Sequence, residues 1–259
     1  MKAETRLIAI IRDVSAALER CELTHIARTP IDVSRARAQH DVYERCLIEA
    51  GCRVERLAAD ATMPDSVFVE DIAVVFRELA LISRPGAESR REETPAIAAA
   101  LGPYRTRRAI ETPGTVDGGD VLVAGRRVFA GRSSRTNAAG IDQMRQILDP
   151  FGYTVQAVDV TTCLHLKSAV TALADDVLLM NRAWTAAREF HGFTIVDVDP
   201  EEPFAANALR VEDIIVFPAA FSRTRERLEA RGLRVRTVDV DELAKAEGGV
   251  TCCSLVFEV

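Results

Sequence analysis

The feature that most constrains this 259-residue chain is a recurring order of segments: two short apolar strands joined by a tight polar turn, then a helix, then a third strand. The first copy reads Ile72–Phe76, a turn at Arg77-Glu78, Leu79–Ser83, a helix from Glu93 to Leu101 and a strand from Arg105 to Ile110. The second reads Val121–Val123, a turn at Gly125–Arg127, Val128–Ala130, a helix from near Thr136 to before Gly152, and Tyr153–Val160. The third runs Leu164–Leu173, Asp175-Asp176, Val177–Met180, a weakly patterned helix at Trp184–Phe190, and Phe193–Val198. The fourth runs Asn207–Val211, Glu212-Asp213, Ile214–Phe217, a helix over Ser222–Arg231, and Leu233–Val240. A fifth copy is split between the ends of the chain. Val250–Phe257 and Leu7–Ile11 make its hairpin, Ser34–Ala50 its helix and Arg53–Leu57 its last strand. A unit with one apolar face cannot bury that face alone, so repeated units stack or close on themselves. A unit shared by the two ends predicts closure: a five-bladed α/β-propeller of ββαβ units with few free strand edges. The alternative is an open α/β sandwich with coincidental spacing. The ring makes residues 1–259 a single domain, although the length alone suits one domain or two.

Composition narrows the partners. The formal charge is -6, from 33 Lys and Arg against 39 Asp and Glu, which argues against nucleic acid or an anionic membrane surface. No apolar run is long enough to span a bilayer. The first residues, Met1 to Arg6, lead into a short apolar run closed by Arg12-Asp13, too short for an export signal. The six cysteines are therefore expected as reduced thiols in a cytoplasmic protein. No Cys-x-x-Cys, zinc-spaced histidines, phosphate-binding loop or Gly-x-Gly-x-x-Gly occurs, so neither metal nor cofactor is expected.

Chemistry-bearing residues recur where the hairpins begin. They are Asp65, Glu70 and Asp71 before the first hairpin, Asp117 and Asp120 before the second, His165 at the third and Cys252 at the closing one. In a ring these ends converge on the axis. Cys252 and Cys253 follow Gly248-Gly249 in a strand-like run, so alternation turns them to opposite faces and at most one enters a site. A deprotonated cysteine is a strong nucleophile, and histidine moves protons near neutrality. Several carboxylates cannot stabilise an anion; they suit a cation, and a planar guanidinium presents a fixed fork of donors. A bound cation also favours the adjacent thiolate. Arg90 and Arg135, on loops beyond hairpins, are placed to hold a carboxylate. The ligand so described is an amino acid carrying a guanidinium. Each residue also has a plainer reading: free cysteines are commonly buried hydrophobes, His165 between two leucines suits a structural histidine, and Asp71 and Asp120 suit turn caps.

Taken in order, several stretches resemble the dimethylarginine dimethylaminohydrolases, or dimethylargininases, of the guanidine-modifying superfamily. They are Pro64–Asp71, Arg84–Arg91, Pro113–Asp120, Arg135–Asn137, Leu164–Lys167 and Gly248–Leu255. The resemblance covers essentially the whole chain and implies the pentein fold, a five-bladed α/β-propeller. It implies Cys252 as nucleophile, His165 as general acid and base, and Asp117 as the acid that orients the histidine. It also implies Asp71 as main guanidinium ligand, Asp65 and Glu70 as further carboxylates, and Phe68 as an apolar wall. Arg90 and Arg135 match the clamp on the substrate carboxylate. Leu23 falls on a mobile lid, and Ala246 gives a backbone contact. The implied reaction takes Nω,Nω-dimethyl- or Nω-monomethyl-L-arginine to citrulline and dimethylamine or methylamine through a Cys S-alkylthiouronium. Zinc binding to Cys252 and His165 would inhibit it.

Two departures stand out. Arginine deiminases and amidinotransferases resemble each other in an aspartate two residues after the histidine; here that residue is Lys167. The lid stretch Glu22–His25 keeps the leucine but lacks the family's preceding aspartate-glycine. Two rivals remain: a hydrolase of another guanidine, arginine included, and a catalytically silent propeller that binds a cationic amino acid. Both a monomer and a homodimer stay open.

Overall fold

A computed structural model describes residues 7–259 of the chain. The reading of Met1 to Arg6 as no export signal lies outside the described residues. In chain order the elements begin with β1 (Leu7–Arg12), α1 (Val33–Glu49) and β2 (Arg53–Leu57). Next come β3 (Ala73–Val75), β4 (Leu79–Ile82), α2 (Thr94–Leu101) and β5 (Thr106–Ala109). Then follow β6 (Val121–Ala124), β7 (Arg127–Arg132), α3 (Ala138–Leu148) and β8 (Thr154–Asp159). The next group is a single helical turn α4 (Leu166–Ala169), β9 (Val170–Ala174), β10 (Val177–Met180) and β11 (Thr194–Asp197). The last are β12 (Leu209–Val211), β13 (Ile214–Pro218), α5 (Ser222–Glu229), β14 (Arg234–Val238), α6 (Asp241–Ala244) and β15 (Leu255–Glu258).

These strands form five three-stranded sheets: β3-β4-β5, β6-β7-β8, β9-β10-β11, β12-β13-β14 and β15-β1-β2. Every sheet has the same grammar. Its middle strand pairs antiparallel with the first and parallel with the third, as β1 does with β15 and β2. The burial explains the sequences. Middle strands such as LIAIIR, LALI and IIVFP are buried on both faces and read as unbroken apolar runs. Third strands form the outer edge and carry charge: RVERL, TRRA and RVRTV. Charged edges deter pairing with other chains. α1 and α3 start on side-chain caps, with Asp32 accepting from Arg35 N at 3.0 Å and Asn137 from Gly140 N at 2.8 Å.

Ring closure follows from the core. Five apolar clusters each join two successive sheets. Val74 and Leu81 pack with Val121 and Val128, Leu122 and Phe129 with Val170 and Leu178, and Leu173 and Leu179 with Ile215 and Phe217. Val211 and Val216 pack with Ala9 and Ile11, and Ile8 and Leu255 with Ala73 and Ile82, which completes the circle. The first strands β3, β6, β9, β12 and β15 line a central cavity of about 310 Å³. The chain thus has the five-bladed pentein α/β architecture. No helix among the described residues is long and apolar enough to cross a membrane.

Four local expectations fail, three of them where the chain approaches the axis. The apolar run between Asp65 and Glu70 reads as a short strand, but residues 64–67 form a turn and a 3-10 turn occupies Val69–Ile72. Val67, Phe68 and Val69 are all buried, so no strand-like alternation exists there. The residues before β9 form the turn α4, not an extended strand from Leu164. The strand expected from Val250 begins only at Leu255, because residues 250–253 form a turn. The fourth failure is peripheral. The helix expected at Trp184–Phe190 is reduced to a 3-10 turn over Ala187–Glu189, consistent with its weak pattern.

Candidate active site

The loops that precede the first strands meet at one end of the central cavity. Asp117 is extended and fully buried, and the tight turn Gly118–Asp120 follows it. That turn must lie flat against its neighbours. A Cβ on Gly119 would fall 2.5 Å from His165 Nδ1 and 2.8 Å from Asp71 Oδ1. Glycine therefore lets the histidine and the aspartate approach the backbone, and Gly119 N donates to Asp71 Oδ1 at 3.1 Å. His165 sits immediately before α4 and is buried. Its Nε2 lies 3.1 Å from Asp117 Oδ2, and its Nδ1 lies 3.7 Å from Asp71 Oδ1. Gly86 N donates to the other Asp117 oxygen at 2.8 Å, which fixes that carboxylate.

Cys252 is carried on the turn rather than a strand. Its Sγ accepts from Gly249 N at 3.3 Å, and its carbonyl accepts from Glu70 N at 3.1 Å. Cys252 is partly exposed while Cys253 is fully buried, so the two do face different ways. Glu70 accepts from Thr251 Oγ1 at 2.6 Å and forms an ion pair with Lys167 Nζ. Phe68 is buried against Gly248, where a Cβ would meet its ring at 2.2 Å.

Electrostatics set the protonation of the pair. Burial alone disfavours a charged His165, but the Asp71 charge, the Asp117 hydrogen bond and the Asp120 charge outweigh it, raising the imidazole from 6.5 to about 9. Burial pushes the Cys252 thiol up, and the Glu70 and Asp71 charges push it further. Without substrate the site therefore holds a thiol beside an imidazolium. Asp65 is raised to about 6 by burial, with Arg90 pulling it back.

Of the expected clamp, Arg90 is buried and engaged. It pairs with Asp71 at 2.5 Å and with Glu93 at 2.8 Å, and donates to the carbonyls of Asp65 and Phe68. Arg135 reaches Thr24 Oγ1 at 2.9 Å. Leu23 packs on the core cluster beside Phe68, and Ala246 is buried in the same cluster. Asp65 accepts from Glu22 N through both oxygens at 3.2 Å. Asp65, Phe68, Asp71, Arg90, Asp117, Arg135, His165, Ala246 and Cys252 border one small chamber of about 20 Å³, and Glu70 and Leu23 adjoin these residues without bordering it. That is room for about one water. A second chamber of about 450 Å³ meets the first at His165 and Cys252.

The structure adds supports that the sequence did not single out. Asn207 accepts from Thr251 N at 3.0 Å and donates to its hydroxyl at 2.9 Å, anchoring the residue before Cys252. Glu247 accepts from Thr24 N, His25 N and Ile26 N at 2.8, 2.6 and 3.0 Å. Glu93 backs Arg90. Asn207 and Glu247 act through contacts distant in sequence, whereas Glu93 lies three residues after Arg90. Asp120 accepts from Leu166 N at 2.9 Å and Ser133 Oγ at 2.6 Å, so it braces the histidine loop rather than facing the chamber. Asp71, Asp117 and His165 each offer a ligand atom within 4.8 Å of the others, a spacing that suits a small cation. However, Asp71 already receives Arg90, and an imidazolium has no free lone pair for a metal.

A protein-family model described as N,N dimethylarginine dimethylhydrolase, eukaryotic, matches residues 25–259. A Streptomyces coelicolor protein named N(G),N(G)-dimethylarginine dimethylaminohydrolase is 41% identical over 249 residues, 95% of this chain and 95% of its own. One of the same name from Pseudomonas aeruginosa is 40% identical over 229 residues, 87% of this chain and 90% of its own. A solved structure of DDAH from Pseudomonas aeruginosa, a cysteine-to-serine mutant complexed with citrulline, superposes with a TM-score of 0.92 at 37% identity, covering 96% of this chain and 98% of that one.

Proposed function

This chain belongs to the dimethylarginine dimethylaminohydrolase family, and we propose that Cys252, His165 and Asp117 carry out its reaction. It hydrolyses guanidines to citrulline, with Nω-methylated arginines as substrates. The observation that carries the assignment of roles is the buried His165, held between Asp117 at 3.1 Å and Asp71 at 3.7 Å and sharing a chamber with the Cys252 thiol.

The substrate guanidinium supplies the positive charge the acids require. Asp71 is its principal partner, with Asp65 and Glu70 completing the negative field and Phe68 forming the apolar wall. Entry of that cation offsets the Glu70 and Asp71 charges that keep Cys252 protonated, so substrate itself brings the nucleophile into play. Arg135 and Arg90 receive the substrate carboxylate, and Leu23 and the Ala246 backbone close over it. This requires Arg90 to loosen from Asp71 as the guanidinium takes its place. The 20 Å³ chamber requires the same opening, since an arginine cannot enter it as it stands.

The Cys252 thiol gives up its proton to solvent as the cation enters, and the thiolate attacks the guanidinium carbon. The His165 imidazolium gives its proton to the departing nitrogen as the C–N bond breaks, releasing methylamine or dimethylamine. The neutral imidazole next takes a proton from water, the resulting hydroxide attacks the S-alkylthiouronium carbon, and the C–S bond breaks as the adduct's hydroxyl proton passes to sulfur, giving citrulline and the Cys252 thiol. Lys167 supports substituted guanidines over arginine. It stands where the deiminases carry a second gripping aspartate, and its ion pair with Glu70 puts a cation there instead.

Replacing the nucleophile tests the assignment. Cys252→Ser is expected to stop citrulline release while leaving the melting temperature and circular dichroism close to those of the parent. Undiminished turnover by a folded variant would remove Cys252 from the mechanism.

A further inference from the structure

The two chambers that meet at His165 and Cys252 differ sharply in size and character. The small one holds the arginines suited to a substrate carboxylate, Arg90 and Arg135, together with the acids Asp65 and Asp71. The large one, about 450 Å³, opens from the same two residues past Glu70 and Lys167 toward Trp184, Phe204, Pro218 and Phe221. A volume of that size is in the range that accommodates a whole small-molecule ligand. One methyl group needs little of it.

Its aromatic wall is organised. Trp184 and Phe204 pack edge to face with ring centroids 5.0 Å apart. Asn181 ties their two turns together: its Nδ2 donates to Pro203 O at 2.8 Å, and its carbonyl accepts from Trp184 N at 3.1 Å. Phe204 is nonetheless 57% exposed, a large apolar side chain left facing a cavity instead of the core. Phe221 lines the same chamber and is held edge to face by Phe217 at 6.3 Å. Exposed apolar surface arranged around a cavity marks a place where an apolar group binds. An aromatic group between such rings gains edge-to-face contacts beyond the burial of its area.

Resting on the reading of the site as a methylarginine hydrolase, the geometry points to a wider substrate class: Nω-aralkyl-substituted arginines, with the substituent lodged between Trp184, Phe204 and Phe221. The chemistry is unchanged. Cys252 Sγ bonds to the guanidinium carbon, the bond from that carbon to the substituted nitrogen breaks, His165 supplies the proton to the departing aralkylamine, and water completes the formation of citrulline. The large chamber is then both the specificity pocket for the substituent and the route by which the amine leaves.

The test compares amine release from Nω-benzyl-L-arginine and Nω-monomethyl-L-arginine by the full-length enzyme. Benzylamine release is expected with a kcat/KM within about tenfold of that for methylamine, the scale on which apolar pockets discriminate between substituents. Phe204→Ala is expected to lower the benzyl value about tenfold through lost aromatic contact while changing the methyl value less than about twofold. Trp184→Ala serves as the second variant and is expected to act the same way. Methylamine release without benzylamine release overturns the proposal and leaves the family reading standing. So does an equal fall for both substrates in both variants. Release of neither amine by the parent enzyme removes the reading on which the proposal rests.

Discussion

The proton-carrying role proposed for His165 rests on what surrounds it, not on its intrinsic basicity. Burial opposes its charge, and Asp71, Asp117 and Asp120 together reverse that opposition. The sign has two consequences. An imidazolium that persists to about pH 9 is ready to protonate a leaving amine throughout the neutral range, which a free imidazole of 6.5 is not. Its folded value lies above its unfolded one, so the stability it contributes is fully present below pH 6.5 and is lost as pH rises through about 9. Titration of the histidine ring protons by NMR, with His165 identified by its loss in His165→Ala, is expected to show it protonated well above neutrality. Titration near 6.5 would show that the acids do not govern it. Asp117→Asn keeps the shape of the side chain and removes the charge, so it should move this titration downward. The Cys252 thiol is the complementary case: burial raises it, and the carboxylates that attract a cationic substrate push it further the same way.

Among the elements, strands and loops differ in how much of them a reader of the sequence can recover. The middle strands are apolar because both faces are buried, and the third strands are charged because they are edges; both signals are local. The turns that carry the site are not. The segment around Phe68 is buried on all sides, α4 is held by Asp120 accepting from Leu166 N, and the Cys252 turn is held by Asn207 acting through Thr251. Their conformations come from partners far away in sequence, so the apolar runs Ser66–Val69, Leu164–Ala169 and Val250–Ser254 imitate strands. The lid shows the same dependence. Residues 24–26 present three backbone donors to the one carboxylate of Glu247, which itself sits at φ 58°. This clamp lies immediately after Leu23. Glu247→Gln keeps one acceptor and loses the charge. Amide exchange at residues 24–26 is expected to speed up, and the KM for methylarginine to rise roughly tenfold with kcat less affected, in keeping with the loss of charge-assisted hydrogen bonds. Unchanged exchange and unchanged KM would mean that the lid is held by Leu23 packing alone.

At the scale of the molecule, the split fifth unit is what makes the site possible. β15 carries Cys252 on its approach, and β1 pairs with it from the other end of the chain, closing the circle of five apolar clusters. Only with the circle closed do the turn before β15, the turn before β6 and the turn before β9 meet on one axis. This much was readable from the order of segments, and so were the identities of the convergent acids, the histidine and the cysteine. The occupancy of Arg90 by Asp71, the clamp by Glu247 and the aromatic chamber were not, since each depends on distances that no spacing encodes. On the proposed function, this ring presents Cys252 and His165 to a substituted guanidinium. The decisive measurement is kcat/KM for citrulline release from asymmetric dimethylarginine, monomethylarginine, symmetric dimethylarginine and arginine, measured side by side. Clear preference for the first two is expected, with the matching amine released in equal amount. Preference for arginine would contradict the role given to Lys167 and its ion pair with Glu70, and would place the enzyme's specificity with the deiminases.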